Sequence, residues 1–179
     1  MSSTNLLPDT WKFWVILNAN VGGKKIYQIE EIFAFNTVES FWSYAAAIPK
    51  VSEFRNVNGK RVSLAIFRDE IKPAWEDPEN EKGATYSISV PLQSIDDFWE
   101  TIMLYLIGGQ MKKELFKNEN ELCGLFVKCA QNSNFVVEIW TKSDVNRSED
   151  VINYIHDRIV PGDAELIELR DFHTHKSKM

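Results

Sequence analysis

With 179 residues, 44% of them apolar and 26% charged, the chain fits one domain able to bury about two-thirds of its unfolded surface. A formal net charge of −6 argues against broad, salt-driven nucleic-acid binding, although one nucleotide in one pocket would leave no trace in that total. Cys123 and Cys129 are the only cysteines, too few for a disulfide scaffold or a zinc cluster, and no apolar run reaches the roughly 20 residues that span a bilayer. No metal or cofactor is expected, no membrane association, and a cytoplasmic setting.

In chain order, "TWKFWVILN" (10–18) is rich in aromatic and β-branched residues and reads as a strand. The glycine turn "NVGGKK" leads to a second strand, "IYQIEEIF" (26–33). "NTVESFWSYAAAIP" suggests a helix with a capping box from Asn36 to Glu39, stopped at Pro49. Phe41 and Trp42 are neighbours on it, so one must point away from the sheet, since successive residues turn by about 100°. "RVSLAIF" (61–67) and "ATYSISV" (84–90) read as strands.

"SIDDFWETIMLYLIGG" is the clearest helix, with Ser94 as the expected cap, a stripe from Ile95 to Leu106, and Gly108-Gly109 as its end. "ELCGLFVKCAQNSNFVVEIWTK" (121–142) reads as a hairpin turning at Gln131 to Asn134. "SEDVINYIHDRIVPG" gives a third helix and "AELIELRDF" (164–172) a last strand. Hairpins with interspersed helices predict an α+β fold: a curved antiparallel β-sheet with helices packed on its convex face. Residues 1–8 are expected to be a flexible N-terminal segment, 9–172 the single domain, and 173–179 a flexible tail.

Nucleophilic catalysis finds little support. His156 lies in a helix, while His173 and His175 fall in the expected tail. There is no nucleophile elbow and no HExxH, and "GGKK" lacks both the following helix and the spacing of a phosphate loop. A nucleotide hydrolase using Glu76 or Asp77 with a metal would need a second carboxylate cluster. Binding has more to stand on. The segment "IKPAWEDPENEKG" (71–83) sets Trp75 directly against Glu76 in a polar, proline-bearing loop. A cationic purine can be held between two aromatic faces, with a carboxylate accepting from its edge. Trp75 and Glu76 offer one ring and the carboxylate, and Tyr27, just after the "GGKK" turn, offers the opposite ring. The alternative for Trp75 is a loop tryptophan folded back on the sheet.

The ordered pieces "TWKFW", "NTVESFW", "KPAWEDPENEKG", "DDFWETIMLYLIGG" and "LCG…EIWT" resemble the eukaryotic translation initiation factor 4E family, which binds the 7-methylguanosine cap of messenger RNA. The resemblance runs from about Pro8 to Lys142 and makes residues 9–172 a cap-binding domain. It implies that Trp75 is the second stacking ring, that Glu76 pairs with the guanine edge, and that Trp140 contacts the N7 methyl group. Without it, Trp140 reads as a hairpin core residue. The first stacking ring is a tryptophan in typical members, and Tyr27 stands nearest that position here. Typical members hold the triphosphate with arginines and lysines. At those positions this chain has Thr85 and, near the hairpin arginine, Ala130; Lys128, Lys142, Lys82 and Arg147 are the candidate substitutes. Each missing charge-assisted contact would weaken binding by about 1.5–3 kcal/mol, so weaker cap affinity is expected.

The resemblance also implies a docking face on the convex side, where Pro8, Val38, Trp42 and Leu104 match positions that take a helical motif from the scaffold factor 4G or from an inhibitory 4E-binding protein. Helix-in-groove recognition suits an exposed tryptophan there. Glu100 replaces an apolar residue of the family nearby. The chain is thus expected to bind capped messenger RNA without turnover and to recruit such a partner in translation initiation. The alternative is a partner-binding regulatory module of the same fold with little cap affinity.

Overall fold

The computed structural model describes residues 3–54, 60–130, 134–162 and 166–178. Seven antiparallel strands form one sheet in the order β2-β1-β3-β5-β6-β4-β7. The strands are β1 (Leu6–Val21), β2 (Lys24–Thr37), β3 (Lys60–Arg68), β4 (Ala84–Val90), β5 (Leu122–Cys129), β6 (Phe135–Thr141) and β7 (Glu168–Thr174). The helices are α1 (Val38–Ala47), α2 (Ile95–Ile107), α3 (Gln110–Glu114) and α4 (Ser148–Tyr154), the last continuing as a π-helical turn over Ile155–Ile159. The expected α+β architecture is therefore the one observed.

Alternation along the strands divides apolar side chains between the two faces. One face packs with α2 and α4 in the main core, where Trp11, Phe13, Phe35, Leu64, Tyr86 and Ile139 meet Phe98, Ile102, Leu106 and Val151. The other face carries a smaller cluster of Ile16, Ala65, Phe67, Ile71, Cys123, Phe126 and Trp140. That second cluster is the floor on which a site can be built. Gly124 lets β3 and β5 approach there, because a Cβ at this position would run into the Ile66 carbonyl and the Phe67 ring.

Several local expectations are revised. Helix α1 is capped by Thr37 rather than Asn36: the Thr37 Oγ1 accepts from the Ser40 N–H at 3.1 Å. Glu39 instead accepts from the backbone N–H of Asn5 at 3.1 Å and from its Nδ2 at 2.8 Å. Those bonds, with the pairing of Leu6 to Thr37, tie down part of the segment expected to be flexible. Ser94 makes no side-chain capping bond at α2. At the other end β7 runs to Thr174, and His175, expected in a flexible tail, is buried at 1% exposure. Its backbone N–H donates to the Gly83 carbonyl, so the strand edge holds the tail in place. Most of the expected turn at 131–134, and the start of the last strand at 164–165, lie outside the described residues.

Candidate nucleotide-binding site

The loop from β3 to β4 is knit by its own polar groups. Asp77 accepts from the Lys72 N–H with one carboxylate oxygen (3.0 Å) and from the Glu79 N–H with the other (2.9 Å). Asn80, fully buried, donates from Nδ2 to the carbonyls of Lys72 and Ala74, both at 2.8 Å. Two hydrogen-bonded side chains thereby define a bend whose apex is Trp75-Glu76. Asp77, weighed as a metal-assisting carboxylate, is occupied in holding the loop. Trp75 is only partly covered and Glu76 is exposed.

That apex overhangs a pocket of about 390 Å³ lined by Ile16, Asn18, Tyr27, Arg61, Ser63, Ala74, Trp75, Glu76, Phe126, Lys128, Glu138 and Trp140. Tyr27, on β2, is 57% exposed. Its phenol is pushed above the usual value first by burial, then by the carboxylates of Glu76 and Glu138, which places both acids near the ring. Trp140 lies in the floor. It stacks on Phe126 at 6.1 Å and sits edge-on to Phe67 at 5.4 Å. The His175 ring is 4.9 Å away, and that side chain also bonds Thr85 Oγ1 at 2.7 Å. The tail therefore buttresses the floor from below.

Glu138 is the pocket's buried charge, with a side chain 7% exposed. It accepts from Trp140 Nε1 at 2.8 Å and pairs with Lys128 Nζ at 2.7 Å. Two acids, Glu76 and Glu138, thus share the pocket with two bases, Arg61 and Lys128. Of the sequence-derived binding residues, Tyr27, Trp75, Glu76, Trp140 and Lys128 come together here. Lys142 does not line the pocket and pairs with Glu79 at 2.9 Å, while Arg147 pairs with Glu121 at 3.1 Å. Sequence reasoning missed Arg61 and Glu138. Glu138 stands two residues before Trp140 on one strand, so alternation alone puts them on the same face. Arg61 could be found only through the pairing of β3 with β1, which aligns Tyr27, Asn18 and Arg61 across three neighbouring strands.

On the opposite face a second hollow, of about 200 Å³, lies between α1 and α2 and is lined by Trp42, Ala45, Ile48, Asp97, Trp99, Glu100 and Met103 among others. Phe41 points inward at 1% exposure and Trp42 outward at 44%, as their spacing required. Val38 is exposed, Leu104 is partly covered, and Pro8 lies against the Gly109 backbone at the end of α2. Glu100 faces this hollow together with Asp97.

The sequence profile of the family "Eukaryotic initiation factor 4E" matches residues 6–179. A barley protein named eukaryotic translation initiation factor 4E-1 is 34% identical over 154 residues, covering 83% of this chain and 66% of its own length. A fruit-fly initiation factor 4E1 is 32% identical over 153 residues, covering 84% of this chain and 54% of its own. The chain thus spans between about half and two-thirds of the length of these curated relatives. Among solved structures, the Caenorhabditis elegans factor 4E-3, in complex with the 4E-binding protein Mextli and a cap analogue, superposes with a TM-score of 0.77. It is 22% identical and covers 98% of this chain and 95% of that one. A schistosome factor 4E complexed with m7GpppA and a 4E-binding protein gives 0.72 at 24% identity, covering 90% and 86%.

Proposed function

Because the chain belongs to the eukaryotic initiation factor 4E family, we propose that it binds the 7-methylguanosine cap of messenger RNA between Tyr27 and Trp75. The observation that carries this reading is the convergence of Tyr27, Trp75, Glu76 and Trp140 on one pocket from β2, the β3–β4 loop and β6. The base enters as a cation, and two aromatic faces with two nearby carboxylates favour it over its unmethylated counterpart. Glu76, exposed beside Trp75, accepts from the ring N–H and exocyclic amine of guanine. Trp140 closes the inner end, its orientation fixed by the bond from its indole N–H to Glu138. The chemistry is binding without turnover. The complexes of the two structural neighbours with a cap analogue or m7GpppA support the same reading.

The convex hollow beside Trp42 takes a helical segment from a scaffold factor 4G-like protein or a 4E-binding protein, with Val38, Leu104 and Pro8 extending the surface. Trp42, a large ring exposed over an apolar groove, is the anchor such a helix would cover. Glu100 and Asp97 at its edge favour a partner bearing basic residues there. The setting is cytoplasmic translation initiation.

The test is a tryptophan-fluorescence titration with a 7-methylguanosine nucleotide against GTP, on the wild type and on Trp75→Ala. Quenching by the methylated ligand alone, lost in the variant, is the expected result. No methyl-selective quenching, with a helical partner peptide still bound, would refute cap recognition and leave a partner-binding module of the same fold.

A further inference from the structure

The pocket holds two bases, and they are not in the same state. Lys128 is engaged: its ammonium lies 2.7 Å from Glu138, whose carboxylate is almost entirely out of solvent. Withdrawing Lys128 toward another anion would leave a buried carboxylate uncompensated, which is strongly unfavourable. Arg61 also lines the pocket, yet among the described residues no carboxylate lies within ion-pair distance of it. A guanidinium presents a planar fork that fits two oxygens of a phosphate, where an ammonium acts as a point charge.

Its position in the sheet suits that role. Arg61 pairs with Asn18, and Asn18 with Tyr27, so the Arg61 and Tyr27 backbones stand two strands apart with their side chains on the same face, about 10 Å at ordinary strand spacing. The β3–β5 ladder ends at Leu64 and Val127, and beyond it Arg61 and Lys128 line the same pocket. Strand β3 thus supplies the pocket with a second cation beside Lys128.

The geometry points to Arg61 as the residue that contacts the phosphate chain of the bound nucleotide, with Lys128 kept out of that role by Glu138. This rests on the proposed cap-binding reading and adds which cation serves the phosphates. Glu138 then has two tasks: it orients Trp140, and it neutralises the lysine that would otherwise compete for the anion. The phosphate increment in affinity comes through one side chain, so it should be modest and should fall as salt rises.

The experiment compares dissociation constants for 7-methylguanosine nucleoside and 7-methylguanosine triphosphate, by fluorescence quenching, on four proteins: wild type, Arg61→Met, Lys128→Met/Glu138→Gln and Trp75→Ala. The double variant removes both charges of the buried pair together, so no lone carboxylate is left to unfold the chain. Wild type is expected to bind the triphosphate about tenfold or more tightly than the nucleoside, the effect of one charge-assisted contact. Arg61→Met should bring the two constants within about twofold of each other while leaving nucleoside affinity unchanged, and the double variant should keep the increment. An increment that survives Arg61→Met, or disappears in the double variant, overturns the assignment. Nucleoside binding by wild type with no phosphate increment would also sink it while sparing the base site. Loss of nucleoside binding in wild type itself, with Trp75→Ala indistinguishable, would instead remove the cap-binding reading beneath it.

Discussion

Replacing Asn80 by alanine tests the claim that the Trp75-Glu76 bend is held from within its loop. The Nδ2 group donates at 2.8 Å to two carbonyls, those of Lys72 and Ala74, from a fully buried side chain. Removing the donor leaves both carbonyls without it, and a buried acceptor left unmet costs about 1–3 kcal/mol. Lys72 is itself exposed, so water can recover part of one bond, and the net loss should be about 2–4 kcal/mol. For a domain of this size that corresponds to a melting temperature lowered by about 5–15 °C. The bend would also lose its fixed direction, and since Trp75 and Glu76 ride on it, affinity for a 7-methylguanosine nucleotide should fall by about three- to tenfold. Scanning fluorimetry and the quenching titration read the two effects separately. Asn80→Asp keeps the size but sets a buried acceptor against both carbonyls, so it should destabilise the chain at least as much as alanine does. A variant melting within about 1 °C of wild type, with unchanged affinity, would refute the reasoning.

The neighbouring aromatics of α1 should separate stability from partner binding. Phe41, packed on Phe13 at 6.1 Å and Phe35 at 5.5 Å, should cost about 3–5 kcal/mol on truncation to alanine, read by chemical denaturation. Trp42→Ala should change stability by under about 1 kcal/mol but weaken capture of a helical 4E-binding peptide at least tenfold, measured by calorimetry; equal effects of the two truncations on stability would contradict their assignment to opposite faces. Burial pushes the Cys123 thiol up to about 12, so a thiolate-directed reagent at pH 8 should label it only when the protein unfolds. Rapid labelling of the native chain would mean that the floor beneath Trp140 opens.

Local patterning made much of this protein readable in advance. The strand-forming runs of 61–67 and 84–90, the apolar stripe of α2 and the double glycine after it carry their own propensities and stops, so their placement follows from neighbouring residues alone. The outward turn of Trp42 follows from helical geometry beside an inward Phe41. The loop carrying Trp75-Glu76 was legible from its prolines and polar run, whereas the bend that Asp77 and Asn80 hold in it was not. Caps were less secure. Asn36, Thr37 and Ser94 all have capping side chains, and only Thr37 makes the bond.

What the sequence left open was decided by strand order. Arg61 and Tyr27 are 34 positions apart, and only the adjacency of β2, β1 and β3 brings them to one face of one pocket. The engagement of Lys128 by Glu138 is likewise a cross-strand contact between β5 and β6, and it changes the meaning of a lysine that looks free on paper. His175, read as part of a flexible tail, becomes a buried support for Trp140 because β7 adds to the sheet edge beside β4. Periodicity reports which face a residue takes within its own element. Which charges meet across elements depends on the register of strands far apart in the chain, and that is set only when the whole sheet closes around its core.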